Sequence, residues 1–373
     1  MAIYRIFPEK DTFIYTDQLT GNAGKDEIVE IGGYPGLTNS GETARILVKY
    51  SDTDIDRVVN TVIGNTNFSS SLKMYIAEAS ELPVEYTLQA YPISIVGSSE
   101  WDNGTGKFGD IPVNSSGASW TYRNASLQNA WSTSGYSPFT TASFIIGKEG
   151  GGTWYTASNG ESMEFTQSHG ISSNHDVDIN VTAAVKQVYN DSLTNKGFIV
   201  KIQDEYEFYT SSSIRLKYFG KDTNTIYPPF LEFQWDDTSY VTGSLSILDT
   251  DIAVIDIKNN KGKYVDEGKQ RFRLTARPKY PARTFTTSSV YLTNYALPSQ
   301  SYWGLKDENS EEMVVDFNTD FTKISCDSTG PYFDVYMDGL QPERYYRILV
   351  KTELDSSTIV VDNQNIFKVV RNG

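Results

Sequence analysis

The sequence predicts an all-β chain. Three observations carry this: runs that alternate apolar and polar side chains with a period of two, the β-branched and aromatic residues that fill them, and the Gly, Asn, Asp and Ser between them. In chain order the runs are Ala44–Tyr50, Leu72–Ala77, Tyr86–Tyr91, Gly197–Ile202, Ile214–Phe219, Phe230–Trp235 and Gln270–Thr275. The 25 tyrosines fit half-buried sheets, where an apolar ring with a polar tip is at home on a surface that is dry on one side.

Two segments depart from this period. Val181, Ala184, Val185 and Val188 fall at helical spacing behind Asn180, a suitable N-cap, and Ile55, Val58, Val59 and Val62 do the same after the Ser51–Asp54 turn. Both read as short helices that plug the end of a sandwich, since an apolar stripe on a helix marks a core-facing side.

Composition excludes several function classes. The 373 residues carry a net charge of −15, the wrong sign for a phosphate backbone, so nucleic acid is not an expected partner. A single cysteine, Cys326, rules out an internal disulfide and a thiolate zinc cage, and two histidines, His169 and His175, argue against histidine-based chemistry. No apolar run approaches the ~20 residues of a membrane span, and Met1–Tyr15 has no signal-peptide core, so neither membrane insertion nor secretion by a cleaved signal is expected. Asn-x-Ser/Thr sites such as those at Asn103, Asn114, Asn124 and Asn180 are then features of a polar surface, not expected sugar attachment points.

A boundary is expected at Asp236–Ser239, giving domains at 1–238 and 239–373. Residues 239–373 hold 16 basic and 18 acidic side chains, a net of −2, which leaves −13 for residues 1–238. Within the second part, Lys258–Arg283 carries nine basic residues against only Asp266 and Glu267. On alternating strands such a run is a solvated face or a surface that docks an acidic neighbour. Arg271, Arg273, Lys279 and Arg283 are the candidate docking residues, with Phe272 and Leu274 on the opposite, core face.

Candidate chemistry is sparse. Gly104, Gly106 and Gly109 match G-x-G-x-x-G, but Asp110-Ile111-Pro112 follows where a helix should start and no βαβ unit surrounds them, so the motif reads as a loop. No Walker A sequence and no nucleophile elbow occurs. Asp52, Asp54 and Asp56 imitate the start of a calcium loop, yet Arg57 and Ile63 stand where an EF-hand needs Gly and Glu. No cofactor is expected beyond a structural calcium ion, for which these residues, or Asp102, Asn103 and Asp110, are the candidate ligands against a plainer reading as turn caps. Trp101, Trp120, Trp131 and Trp154 are either core plugs or platforms for a glycan. No spacing singles out a pair of the 47 acidic residues for glycoside hydrolysis, and no catalytic residue is assigned.

The order of segments in residues 1–238 carries a resemblance. Asp11–Tyr15, the Asn22–Gly24 turn, Ile28–Ile31, Thr43–Tyr50, Leu72–Tyr75, Trp101, Ser119-Trp120, Asp176–Val185, Asn195–Lys201 and Pro229–Phe233 follow one another as in the DNRLRE family of jelly-roll domains, with Arg45 in the arginine position. The name motif itself is absent as a string. The resemblance implies a jelly-roll β-sandwich akin to carbohydrate-binding modules. Gly339-Leu340-Gln341-Pro342 leading into Tyr345–Val350 resembles the turn-into-strand of fibronectin- and immunoglobulin-like sandwiches. Chains that join the two resemble structural proteins of tailed bacteriophages.

What the resemblance implies is a non-enzymatic component of the virion (tail, baseplate, neck or capsid surface), made in the host cytoplasm and acting through contacts with other virion proteins or a second copy. A glycan-binding module used in host attachment is the alternative. Arg45 itself is expected to be partly buried and bonded to backbone carbonyls or a carboxylate, a structural side chain and not a ligand contact.

Overall fold

A computed structural model describes residues 2–35, 41–64, 67–95, 100–131, 150–170, 172–211, 213–282, 289 and 292–372. The chain is all-β, built of sheets that pack as sandwiches, and the described segments include only short helices. It divides into two compact units, one of Ile6–Asn65 and Ser69–Glu232, the other of Met1–Arg5, Thr66–Phe68 and Phe233–Gly373.

The division thus falls inside the strand Phe230–Trp235 and not at the polar run Asp236–Ser239 that the sequence marks. That run is no free linker: the Cys326 N–H donates to the Ser239 carbonyl at 2.9 Å, and the Val241 N–H to the Cys326 carbonyl at 2.9 Å. The first residues of the chain likewise join the later unit, where Arg5 donates to the Val314 carbonyl and Tyr4 packs edge-on to Tyr336. A polar run reports solvation; whether a segment docks depends on partners distant in sequence.

In the larger unit the main sheet runs in the order Phe165–Gly170, Glu85–Pro92, Phe198–Ile202, Gly41–Lys49, Ile28–Pro35, Ile214–Phe219, Ile76–Ser80, with Lys10–Tyr15 also paired to Gly41–Lys49. In the same unit Ser71–Met74 pairs antiparallel with Val177–Asn180. The alternating run at Leu72–Ala77 is two strands broken at Tyr75, each pairing in a different sheet. The helix Thr182–Tyr189 has Val181 and not Asn180 at its N-cap, with no side-chain capping bond; Asn180, one residue earlier, accepts from the Thr182 N–H at 3.0 Å through Oδ1. The other is a helix Asp52–Arg57 continued as a π-helical stretch Val58–Ile63, and the wider i→i+5 turn brings Ile63 to the buried face where Val62 is expected.

Gly41–Lys49 lies deep in the main sheet, buried along nearly its whole length, and Arg45 has no route to water. Its exposure is 0%, so it is fully and not partly buried. Arg45 Nε and Nη2 donate to the two carboxylate oxygens of Glu207 at 2.6 and 2.9 Å, and Nη1 donates to the Gly151 carbonyl at 2.6 Å. Lys201 Nζ reaches Glu207 Oε2 at 3.1 Å and also binds Asp204. The guanidinium lies 4.8 Å from the Trp120 ring and 5.3 Å from that of Trp154, within cation–π range. Burial alone would raise the Glu207 pKa; the two cations outweigh it and hold the carboxyl at about 2.

The other unit is a two-sheet sandwich. One sheet is Ala253–Lys258, Lys269–Pro278, Gly330–Tyr336, Ser325–Asp327; the other is Lys263–Val265, Ser357–Val370, Tyr345–Leu354, Ser301–Asp307, Met313–Val315. Trp303 and Phe367 from one sheet meet Phe272 and Phe333 from the other, with Trp303 stacked on Phe333 at 5.1 Å and Phe272 on Phe333 at 5.5 Å. At the start of the strand Tyr345–Leu354, the buried Tyr346 donates its hydroxyl back to the Gln341 carbonyl at 3.0 Å.

Arg45→Ala takes the bidentate partner from a buried carboxylate, leaving it Lys201, and is expected to cost about 3 kcal/mol in the urea unfolding of the larger unit. An unchanged midpoint would refute the role given to this pair. Acid should act through Glu207 in the usual direction for a depressed carboxylate: its contribution is complete above about pH 4.5 and is lost as pH falls towards 2.

Asp11 behaves oppositely. Burial, against the Lys221 N–H that donates to it at 2.6 Å, raises its pKa to about 6, so its ionisation opposes folding above that pH. Asp11→Asn should therefore be more stable than the parent at pH 7–8 by about 2–3 kcal/mol, an advantage that vanishes near pH 4. Equal stability across that range would contradict this.

Candidate functional site

The strand Lys269–Pro278 alternates cleanly: Phe272, Leu274 and Ala276 are buried, while Arg271 and Arg273 sit on the outward face. There they flank the Tyr332 ring, at 4.0 Å for Arg271 and 5.3 Å for Arg273. Each guanidinium is already engaged within its own sheet. Arg271 grips Asp334 through Nε and Nη2 at 2.8 and 2.9 Å, and Arg273 grips Asp327 through Nη1 and Nη2 at 3.0 and 2.8 Å. Lys269 adds a third cation, 3.3 Å from Asp334.

These fork-to-carboxylate pairs raise the pKa of both arginines through the hydrogen bonds themselves, and the bond from Arg273 holds Asp327 at about 2. Left by the sequence as cations facing a partner, the two arginines are instead neutralised by their own sheet. Lys279, at the strand's end, is exposed, with its ammonium 5.7 Å from the Tyr280 ring. Arg283 lies outside the described residues.

The remaining candidates resolve into structure. Gly104 and Gly106 belong to a loop held by the buried Asn22, whose Nδ2 donates to the Asn103 and Ala118 carbonyls at 2.9 and 2.8 Å and whose Oδ1 accepts from the Gly106 N–H at 2.9 Å. Gly104 has φ +76°, and a Cβ there would lie 2.3 Å from Asn22 Oδ1, so glycine serves close packing and not a phosphate. Asp52 Oδ1 accepts from Asn195 at 2.7 Å, Asp110 Oδ2 from the Lys107 N–H at 2.9 Å, and Asn103 Nδ2 donates to the Gly24 carbonyl at 2.7 Å. Among the described residues no group of three or more His, Cys, Asp and Glu side chains is placed to hold a metal ion. Trp101, Trp120, Trp131 and Trp154 are all buried in one cluster with Ile14, Leu47 and Ile199; none offers a face to a glycan.

Nothing in the residue spacing places the two histidines together, yet both stack on Tyr86, His169 at 4.9 Å and His175 at 5.8 Å between ring centres. The Tyr86 hydroxyl is 2.7 Å from His175 Nδ1, and His169 Nδ1 is 2.9 Å from the Asn174 carbonyl. Cys326 is buried, and burial raises its thiol pKa.

The arginine pairs make charge reversal at this face a stability change as well as a surface change. Arg271→Glu with Arg273→Glu places carboxylates against Asp334 and Asp327, and should lower the stability of the isolated protein by about 1–3 kcal/mol. Swapping each pair, with Asp334→Arg and Asp327→Arg added, should restore only part of the loss, because Asp327 also accepts from the Thr329 and Gly330 N–H groups and Asp334 also pairs with Lys269. A reversal that leaves the melting temperature unchanged would show that the pairs are not formed in solution.

No family profile matches the chain, and no curated protein matches it. Comparison with solved structures finds a DUF4785 family protein from Legionella pneumophila, 9% identical, at a TM-score of 0.17. The alignment covers 98% of this chain, which spans 66% of that protein's length.

Proposed function

We propose that the chain is a non-enzymatic structural component of a tailed-bacteriophage particle, made in the host cytoplasm and built into the virion through protein–protein contacts. In this reading the larger unit is a DNRLRE-like jelly roll and the other an immunoglobulin- or fibronectin-like sandwich. The order of segments quoted above supports the first assignment. The Tyr346 hydroxyl bonded back to the Gln341 carbonyl at the entry to a strand supports the second, because such a corner recurs in that class of sandwich.

The observation that carries the docking role is the outward face of Lys269–Pro278. Arg271, Tyr332 and Arg273 form a ladder whose side chains are fixed by bidentate bonds and ring contacts. A partner meeting it finds groups already ordered, so little side-chain entropy is lost on contact. Other virion proteins, or a second copy of the chain, are the partners proposed.

Mass spectrometry of purified particles should detect the chain as a stoichiometric component. Particles assembled with the pair-swapped variant, which keeps its cis bridges but inverts their pattern, should incorporate it at least about tenfold less well. Absence from the particle would overturn the virion role. Normal incorporation of the swapped protein would overturn this docking face alone.

A further inference from the structure

One edge of the two-sheet sandwich is open. The strand Ser357–Val370 pairs with Tyr345–Leu354 on one side, and Lys263–Val265 covers its other side only from Lys368 to Val370. The Asn260 amide takes the Ile366 carbonyl at 2.9 Å. Among the described residues no strand pairs with residues 357–361 on that side. The hairpin fixes which backbone groups lie bare there. Asp355 and Ser356 make a two-residue turn with φ of +46° and +63°, and such a turn closes on a hydrogen-bonded pair, here Leu354 and Ser357. Bonded and non-bonded pairs alternate along an antiparallel ladder. Ile359 therefore bonds to Thr352, while Thr358 and Val360 turn their N–H and C=O groups outward. No hydrogen bond from another described residue reaches those groups, and the Val360 side chain is 53% exposed.

Sheet edges are usually guarded by a charge, a proline or a bulge. The edge Ala253–Lys258 has Asp256 in its middle, and side chains take its Ile255 carbonyl and Ile257 N–H. The edge Ile76–Ser80 has Glu78 at its centre. Residues 357–361 read Ser-Thr-Ile-Val-Val, with no charge and no proline, and four of the five are β-branched. The register shift in this strand lies beyond Val361.

We propose that residues 357–361 pair antiparallel with the same residues of a second copy, about a two-fold axis at Ile359. Thr358 then faces the partner's Val360, their outward groups exchange two backbone hydrogen bonds, and the axis repeats the pair. Ile359 faces the partner's Ile359 without a bond between them. Ile359 and Val361 pack on the core of their own sandwich while Thr358 and Val360 are exposed, so this register keeps like faces together. On the solvent face each row runs Glu353, Thr358, the partner's Val360, the partner's Lys351, with unlike charges at its two ends. The joint uses the sheet opposite the arginine ladder and needs no virion, so either proposal can fail without the other.

The contact is short, and the full chain should dimerise weakly, with a Kd of about 10–500 µM in sedimentation velocity. Val360→Pro removes one outward N–H from each copy, leaves the hairpin ladder whole, and should weaken the dimer at least about tenfold. If that variant does not fold, Val360→Glu sets two carboxylates near the axis, each beside Lys351 of its own sheet, and carries the same expectation. With oxidised glutathione, Ile359→Cys should give a disulfide-linked dimer, because facing residues of a non-bonded pair hold their Cα atoms ~4.5 Å apart. Thr358→Cys should not, since its two copies are displaced along the strands beyond disulfide reach. A full chain that stays monomeric at about 500 µM would overturn the proposal. So would a dimer that the folded Val360 variant leaves intact, or an Ile359→Cys protein that links no faster than Thr358→Cys.

Discussion

The bidentate contact between Arg45 and Glu207 organises the irregular chain around the middle of the larger unit. A guanidinium on a deep strand of a sheet cannot reach water, and leaving it uncompensated would cost more than one domain's net stability can absorb. Its partners must therefore come to it. Glu207 arrives on the turn after Phe198–Ile202, the Gly151 carbonyl and the Trp154 ring on one irregular stretch, and the Trp120 ring on another. One side chain thus sets where three segments without regular structure must lie. Lys201 completes the arrangement, giving a single buried carboxylate two cations, which is why Glu207 remains ionised despite its burial.

Asn22 performs the same task for the loop around Gly104 by a different route. An amide offers two donors and an acceptor without charge, and here they satisfy backbone groups of Asn103, Ala118, Gly24 and Gly106 that no sheet ladder serves. Long loops in a β-sandwich leave many such groups to be paired, and buried polar hubs are how this unit pairs them. The glycines at 24 and 104 follow from that choice: a Cβ at Gly24 would lie 1.8 Å from the Asn103 carbonyl oxygen, and one at Gly104 would displace the Asn22 side chain.

The strands were legible because their signal is local. Alternation at Ile214–Phe219 and Phe230–Trp235 is written in consecutive residues, and the observed strands carry the same bounds. What the sequence withheld depends on register or on distance along the chain. Arg45 is visibly unusual, but nothing marks Glu207, 162 positions away, as its partner. Arg271 and Asp334 become neighbours only once Lys269–Pro278 is aligned antiparallel to Gly330–Tyr336, where they are direct partners. The histidines around Tyr86 meet for the same reason, since His169 and Tyr86 face each other in the pairing of two strands far apart in sequence. The four tryptophans show the reverse limit: composition reveals large rings, and only packing decides whether they face the core or a ligand.

That pairing changes what a basic run means on this sheet. A row of unpaired cations steers acidic partners from a distance and loses its grip as salt rises. Arg271 and Arg273, each closed by a carboxylate and leaning on Tyr332, project little net charge and bring their counter-ions with them. An incoming surface need not strip and replace those ions, so the desolvation that usually cancels the gain from an interfacial ion pair is largely avoided. Contact at such a face depends on shape and on the area of Tyr332 and the arginine stems covered, features that hold at high ionic strength and suit an interface made once and kept.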